Sequence, residues 1–220
     1  QFPDLPESRV ILMAMLHHLD LGIGRVVDTL KQTGAWENTL LFFLTDNGGS
    51  KAMNAINTPL RGFKQQNYEG GIRTPFIVSW PARFPGGRTI ATPVCSLDLL
   101  PTALDAAGLP LPTDRPLDGR SLLPLIAGKT QTHHETLYWS EGGAVGGWAV
   151  RSGDWKLVAQ RNQLKPELFN LAADPAEASD LAAAQPARVA ALTRLYDAWI
   201  EQMAAPLSGA PKRLAVDPGA

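Results

Sequence analysis

Apolar residues near the start of the chain recur at spacings of three and four: Val10, Met13, Leu16, Leu19, Ile23, Val26, Val27 and Leu30. That period predicts one face of an amphipathic helix, opened at Pro6-Glu7-Ser8 and ended at Gly34. Asn38–Thr45 then carries an unbroken apolar run, Leu40–Leu44. Such a run predicts a strand covered on both faces, hence parallel and central in its sheet. The pattern stops at Asp46-Asn47-Gly48-Gly49-Ser50, and a polar loop runs to about Tyr68. Pro75–Trp80 reads as a second buried strand, closed by a turn of Pro81 and Pro85-Gly86-Gly87. Leu97, Leu99, Leu100, Leu104 and Ala107 predict a short helix over Ser96–Ala107, capped by Ser96 or Asp98 and stopped by Gly108. Ser121–Ile126 predicts a further helical turn or two.

After about residue 130 the period changes to two. Thr136–Ser140, Trp148–Ser152 and Trp155–Ala159 read as short strands, with a hairpin turn at Ser152-Gly153-Asp154. Glu167–Asn170 predicts a fourth strand, and Pro186–Ala204 a second amphipathic helix. The expected fold class is α/β: a mainly parallel sheet flanked by helices, plus a small antiparallel sheet backed by one helix. The expected domains are 1–131 and 132–205, followed by a loose tail over 206–220.

Composition narrows the function classes. The 220 residues carry a formal charge of −1, which argues against nucleic-acid binding and against a charge-held membrane-surface protein. Hydrophobic residues make up 45%, enough for a packed core. Apolar runs such as Leu40–Leu44 fall far short of the roughly 20 residues of a membrane helix, so no membrane span is expected. The lone Cys95 excludes an internal disulfide. The start, Gln1-Phe2-Pro3-Asp4, has no initiator Met and no leader-like segment, so the chain is expected to be part of a longer protein.

Two places carry chemistry. Asp46 and Asn47, at the end of a strand and followed by two glycines, offer hard oxygen ligands suited to Ca²⁺ or Mg²⁺. The same residues equally make a plain turn. Lys64, in a glycine-bearing loop, places a point charge for an anionic oxygen or is simply solvated. Arg61, Glu69 and Arg73 beside it read as an ion-pair network that holds the loop. Trp139, Trp148 and the loop Glu141–Gly147 either border a sugar-stacking pocket or pack the hairpin, packing being favoured.

The ordered segments Thr45–Gly49, Pro59–Lys64 and Tyr68–Pro75 resemble the second half of a sulfatase of the alkaline-phosphatase-like superfamily. So do His18–Arg25, Ser96–Thr102, Leu117–Ser121, Val150–Lys156, Glu167–Leu171 and Asp174-Pro175, and the likeness covers about residues 9–203. The resemblance implies hydrolysis of a sulfate monoester, with Asp46 and Asn47 as ligands of Ca²⁺ (or Mg²⁺) and Lys64 as a catalytic residue that contacts the sulfate. It also implies a formylglycine nucleophile and a periplasmic or extracellular location. Phe63 and Gln65-Gln66 depart from the residues the family commonly has beside the lysine. The Cys-x-Pro-x-Arg form of the formylglycine motif does not occur, and the bare Ser-x-Pro-x-Arg spacing falls at Ser79–Arg83, where the expected strand Pro75–Trp80 runs into its turn. The N-terminal half of the same protein is therefore an expected partner, and these residues alone are expected to be inactive. A phosphate or phosphonate ester hydrolase of the same superfamily, and a non-catalytic binding chain, stand as the other readings. Cys95 reads as a buried spectator, and His17, His18, His133 and His134 as structural or solvated.

Overall fold

A computed structural model describes residues 4–142, 146–163 and 165–204. The tail expected over 206–220 and the loop centre at 143–145 lie outside the described residues. The elements in order are α1 (Glu7–Gln32), β1 (Leu41–Leu44), α2 (Glu69–Ile72), β2 (Phe76–Ser79), α3 (Leu99–Ala106), α4 (Leu123–Ile126), β3 (Thr136–Ser140), β4 (Trp148–Ser152), β5 (Trp155–Ala159), β6 (Glu167–Asn170) and α5 (Pro186–Gln202). Single 3-10 turns sit at Trp36–Asn38, Lys51–Met53 and Ser96–Asp98. The chain divides into two compact units.

The first unit draws on residues 4–12, 45–74 and 136–204. Its sheet runs β3-β4-β5-β6 with every pair antiparallel. Ser152 pairs with Trp155 across the two-residue turn Gly153-Asp154, and Gly153 takes the positive φ of 57° that such a turn needs. Period-2 alternation sorts the side chains into two layers. Trp148, Val150, Leu157, Ala159 and Leu168 pack with Leu192 and Tyr196 of α5. The Trp148 ring lies 4.5 Å from that of Tyr196, and Tyr138 stacks on Trp199 at 4.8 Å. On the opposite face Ala149, Val158 and Phe169 close on Tyr68 and Leu171. That second layer anchors the loop leading into α2. Trp148 is thus a core residue, and Trp139 packs against the second layer.

The second unit holds 13–44 and 75–135. Here β1 and β2 pair antiparallel, from Leu41 opposite Ser79 to Leu44 opposite Phe76. The expected parallel sheet is not found among the described residues. Both strands are at most half-buried, and Ile77 is exposed. The apolar run reported a need for cover on both faces, but it held no information on the direction of the neighbouring strand. The Ser96–Asp98 turn leads into α3, and Gly108, with a φ of 67°, ends it. The fully buried Asp98 makes no side-chain cap to α3; as the third residue of the turn it closes the capping box begun at Cys95, accepting hydrogen bonds from the backbone N–H of Cys95 (2.9 Å) and of Arg120 (2.8 Å). Thr102 Oγ1 accepts from the Leu122 N–H at 2.9 Å, which fixes the approach to α4.

Helix α1 bears on the expectation of no membrane span. It buries no residue, and Ile11, Met15, Leu16, Leu19, Leu21 and Val26 are exposed. With 26 residues and a mean hydropathy of 1.5 in its most apolar window, it is long and apolar enough to cross a membrane. The expectation of no span rested on unbroken runs, whereas in α1 the polar residues are scattered among apolar ones. Asp20 and Arg25 sit within that stretch, and each would cost roughly 2.5–3.5 kcal/mol at a bilayer centre.

Candidate functional site

The three residues singled out by the sequence all fall in the first unit, where three loop segments are knitted at the backbone. Gly48 N–H donates to Gly71 O at 2.8 Å, Lys64 N–H to Gly49 O at 3.1 Å, and Gly70 N–H to Arg61 O at 2.6 Å. The segment after β1 and the Lys64 loop are therefore neighbours. Glycine is required at this seam: a Cβ on Gly48 would stand 1.8 Å from Gly70 O, and one on Gly71 would stand 2.0 Å from Gln66 O. Asn57 closes the arrangement. Its Oδ1 accepts from Gly49 N–H at 3.0 Å while its Nδ2 donates to Gly49 O and to Gly62 O, at 3.2 and 2.9 Å. Gln66 Oε1 accepts from Phe63 N–H at 3.0 Å, so the residues that depart from the family pattern brace the Lys64 turn.

Around this seam the charged side chains are committed to one another. Arg61 pairs with Glu167 at 3.2 Å, donates to Glu177 O at 3.1 Å and lies 3.9 Å from the centre of the Tyr68 ring. Tyr68 donates its hydroxyl to Glu167. Burial first, then that carboxylate, pushes the Tyr68 hydroxyl far above its ordinary value, so it stays a donor. Beneath them Lys156 is fully buried between Glu69 (2.9 Å) and Glu177 (2.8 Å). Glu177 also accepts from the Glu69 N–H at 2.6 Å, and burial pushes its carboxyl upward. Arg73 stands 3.9 Å from Glu69. The ion-pair network expected of Arg61, Glu69 and Arg73 is present, although its centre, Lys156 and Glu177, was not anticipated. Lys156 breaks the apolar run of β5, which is the signal a sequence reader can use.

Against that background three side chains stand out. Among the described residues Asp46, Asn47 and Lys64 make no side-chain hydrogen bond and no ion pair. Asp46 and Lys64 are exposed and Asn47 is half-buried. A carboxylate, an amide and an ammonium thus stand on loops whose backbones are hydrogen-bonded to one another. The first two are hard oxygen donors of the kind Ca²⁺ and Mg²⁺ take, so the donor set fits such an ion; the ammonium fits an anion. His17 and His18 lie exposed on α1.

Comparison with known proteins gives a consistent picture. The sulfatase family model matches residues 13–109, and the model of the C-terminal part of N-sulphoglucosamine sulphohydrolase matches residues 63–203. The choline-sulfatase of Rhizobium meliloti (strain 1021) is 35% identical over 178 residues, covering 80% of this chain and 33% of the relative. The steryl-sulfatase of Mus musculus is 36% identical over 150 residues, covering 59% of this chain and 24% of the relative. The crystal structure of Ps i-CgsB in complex with k-i-k-neocarrahexaose superposes with a TM-score of 0.83 at 30% identity, covering 90% of this chain and 44% of that one. The chain thus spans about a quarter to a third of the length of these two curated relatives.

Proposed function

Because this chain belongs to the sulfatase family, we propose that it carries the cation- and anion-binding share of a sulfate-monoester hydrolase. Asp46 and Asn47 hold a divalent cation, Ca²⁺ or Mg²⁺, and Lys64 binds an oxygen of the sulfate group. The observation that supports this reading is the contrast at the seam: Arg61, Glu69, Lys156, Glu167 and Glu177 are tied down, while among the described residues these three side chains are not. When bound, the cation supplies positive charge to the sulfuryl oxygens. Lys64 adds its own charge from the other loop, in a place fixed by the Gly49 carbonyl. As the bond between sulfur and the alcohol oxygen breaks, fixed positive charge stabilises the transition state without reorganisation. The products are the alcohol and sulfate.

Ca²⁺ takes about 6–8 oxygens, so Asp46 and Asn47 are part of its shell and further ligands come from elsewhere in the protein. The attacking oxygen belongs to the formylglycine that the family likeness implies, supplied by sequence beyond these 220 residues. In the full-length protein, a chelator is expected to abolish sulfate release and added Ca²⁺ to restore it. Asp46→Ala is expected to raise the Ca²⁺ concentration for half-maximal activity by about tenfold or more. Activity indifferent to both chelator and substitution would overturn the assignment of the cation site.

A further inference from the structure

A separate cluster of metal-ligating groups lies in the second unit. Cys95 stands just before the 3-10 turn, Asp98 lies within that turn, and His133 and His134 come from the segment before β3. His134 Nε2 is 2.8 Å from Asp98 Oδ1 and 3.6 Å from Cys95 Sγ. His133 Nε2 is 3.2 Å from Asp98 Oδ2. The two imidazoles meet edge to face, with centres 4.6 Å apart. Side-chain exposure is 4% for His133, 7% for His134 and 0% for Asp98.

Two features exceed what a helix cap needs. Asp98 already accepts from the Cys95 and Arg120 backbones, which completes the cap. Two imidazoles and a thiol nonetheless converge on the same carboxylate. Moreover, His133 Nε2 is buried, stands 3.2 Å from Asp98 Oδ2 and makes no hydrogen bond among the described residues. A buried polar atom without a partner is costly, and a missing ion is one of its ordinary explanations.

We propose that Cys95, Asp98 and His134, with His133 set against Asp98, form a site for a borderline-soft divalent cation, Zn²⁺ being the best match. The spacing supports this. A tetrahedral Zn²⁺ at about 2.0 Å from nitrogen or oxygen and about 2.3 Å from sulfur puts its ligand atoms roughly 3.2–3.6 Å apart. The 3.6 Å separation falls within that interval, and the 2.8 Å contact opens by a few tenths of an ångström. A thiolate with an imidazole suits Zn²⁺ and is wrong for Ca²⁺ or Mg²⁺, so this site takes a different ion from the one proposed at Asp46 and Asn47. The three ligands are protein groups, and His133 stands against Asp98 as an outer partner that orients a ligating carboxylate. Binding releases the Cys95 thiol proton and the proton shared by His134 and Asp98 to solvent.

Cobalt(II) is the probe, since a thiolate bound to it gives a near-ultraviolet charge-transfer band. Titration of the full-length protein is expected to develop this band with about one Co²⁺ per chain, and Zn²⁺ is expected to remove it. Cys95→Ser is expected to lose the band, and His133→Gln to weaken cobalt binding by about tenfold or more. Asp46→Ala is expected to leave the band unchanged, which separates this site from the other. No band at cobalt saturation would overturn the proposal, leaving a closed His–Asp ion pair. So would a band of equal strength in Cys95→Ser, or unaltered cobalt affinity in a folded His133→Gln protein.

Discussion

Replacing Lys156 with methionine is expected to lower the melting temperature of the protein by on the order of 10 °C. The lysine is fully buried, with Glu69 at 2.9 Å and Glu177 at 2.8 Å. Methionine fills much of the same volume, so the loss is electrostatic. It leaves two carboxylates buried together with only Arg73 nearby, 3.9 Å from Glu69 and more than half exposed. Breaking one partner out of a buried ion cluster costs roughly 3–5 kcal/mol, because the remaining charge has lost both its water and its counter-ion. The effect is structural at one remove from the site: Glu69 opens α2, and α2 carries the glycines that Gly48 packs against. The triple variant Lys156→Met, Glu69→Gln, Glu177→Gln is expected to recover part of the loss, since no unpaired charge remains. Differential scanning calorimetry checks both. A melting temperature within about 2 °C of the parent for Lys156→Met would show that the cluster is not a stabilising element.

Lys64→Ala is expected to behave in the opposite manner. The side chain is exposed and, among the described residues, makes no hydrogen bond or ion pair, so the melting temperature should not move. What should move is kcat/KM for a sulfate ester in the full-length protein, downward by roughly 10²–10³-fold, the usual cost of removing one fixed group that stabilises transition-state charge. Lys64→Arg keeps the charge but replaces a compact ammonium with a wider fork, and is expected to recover only part of the rate. Steady-state kinetics with a chromogenic aryl sulfate would read this. A Lys64→Ala enzyme with undiminished kcat/KM would remove Lys64 from the anion site.

The small sheet was legible from sequence because its signals are local. Alternation fixes which residues of β4 and β5 face α5, and Ser152-Gly153-Asp154 fixes the register between them. The direction of β1 was not legible. Leu40–Leu44 says that both faces want cover, and nothing in five apolar residues says whether the next strand runs with or against them. The same limit applied to α1, whose scattered polar residues hid a stretch of high mean hydropathy from a reading based on runs.

At the site, Asp46, Asn47 and Lys64 could be singled out because strand ends and glycine turns advertise them. What holds them could not. Lys156 meets Glu69 across 87 positions of sequence, and Glu69 meets Glu177 across 108. Asp98 was one of two cap candidates for α3 and makes no side-chain cap there; its meeting with His134, 36 positions away, depends on how the segment before β3 returns to α3. Contacts of this range follow from topology, and only the local half of each is written in the neighbouring residues.

The measurement that bears most directly on the central claim is product analysis with the full-length protein and a matched pair of esters, one sulfate and one phosphate, of the same alcohol. The parent protein is expected to release sulfate and alcohol in equal amounts and to prefer the sulfate ester. A variant with Asp46, Asn47 and Lys64 all changed to alanine is expected to release neither, while keeping its melting temperature. Preference for the phosphate ester would move the activity to phosphoester chemistry on the same residues, and unimpaired sulfate release by the triple variant would contradict the assignment of the site altogether.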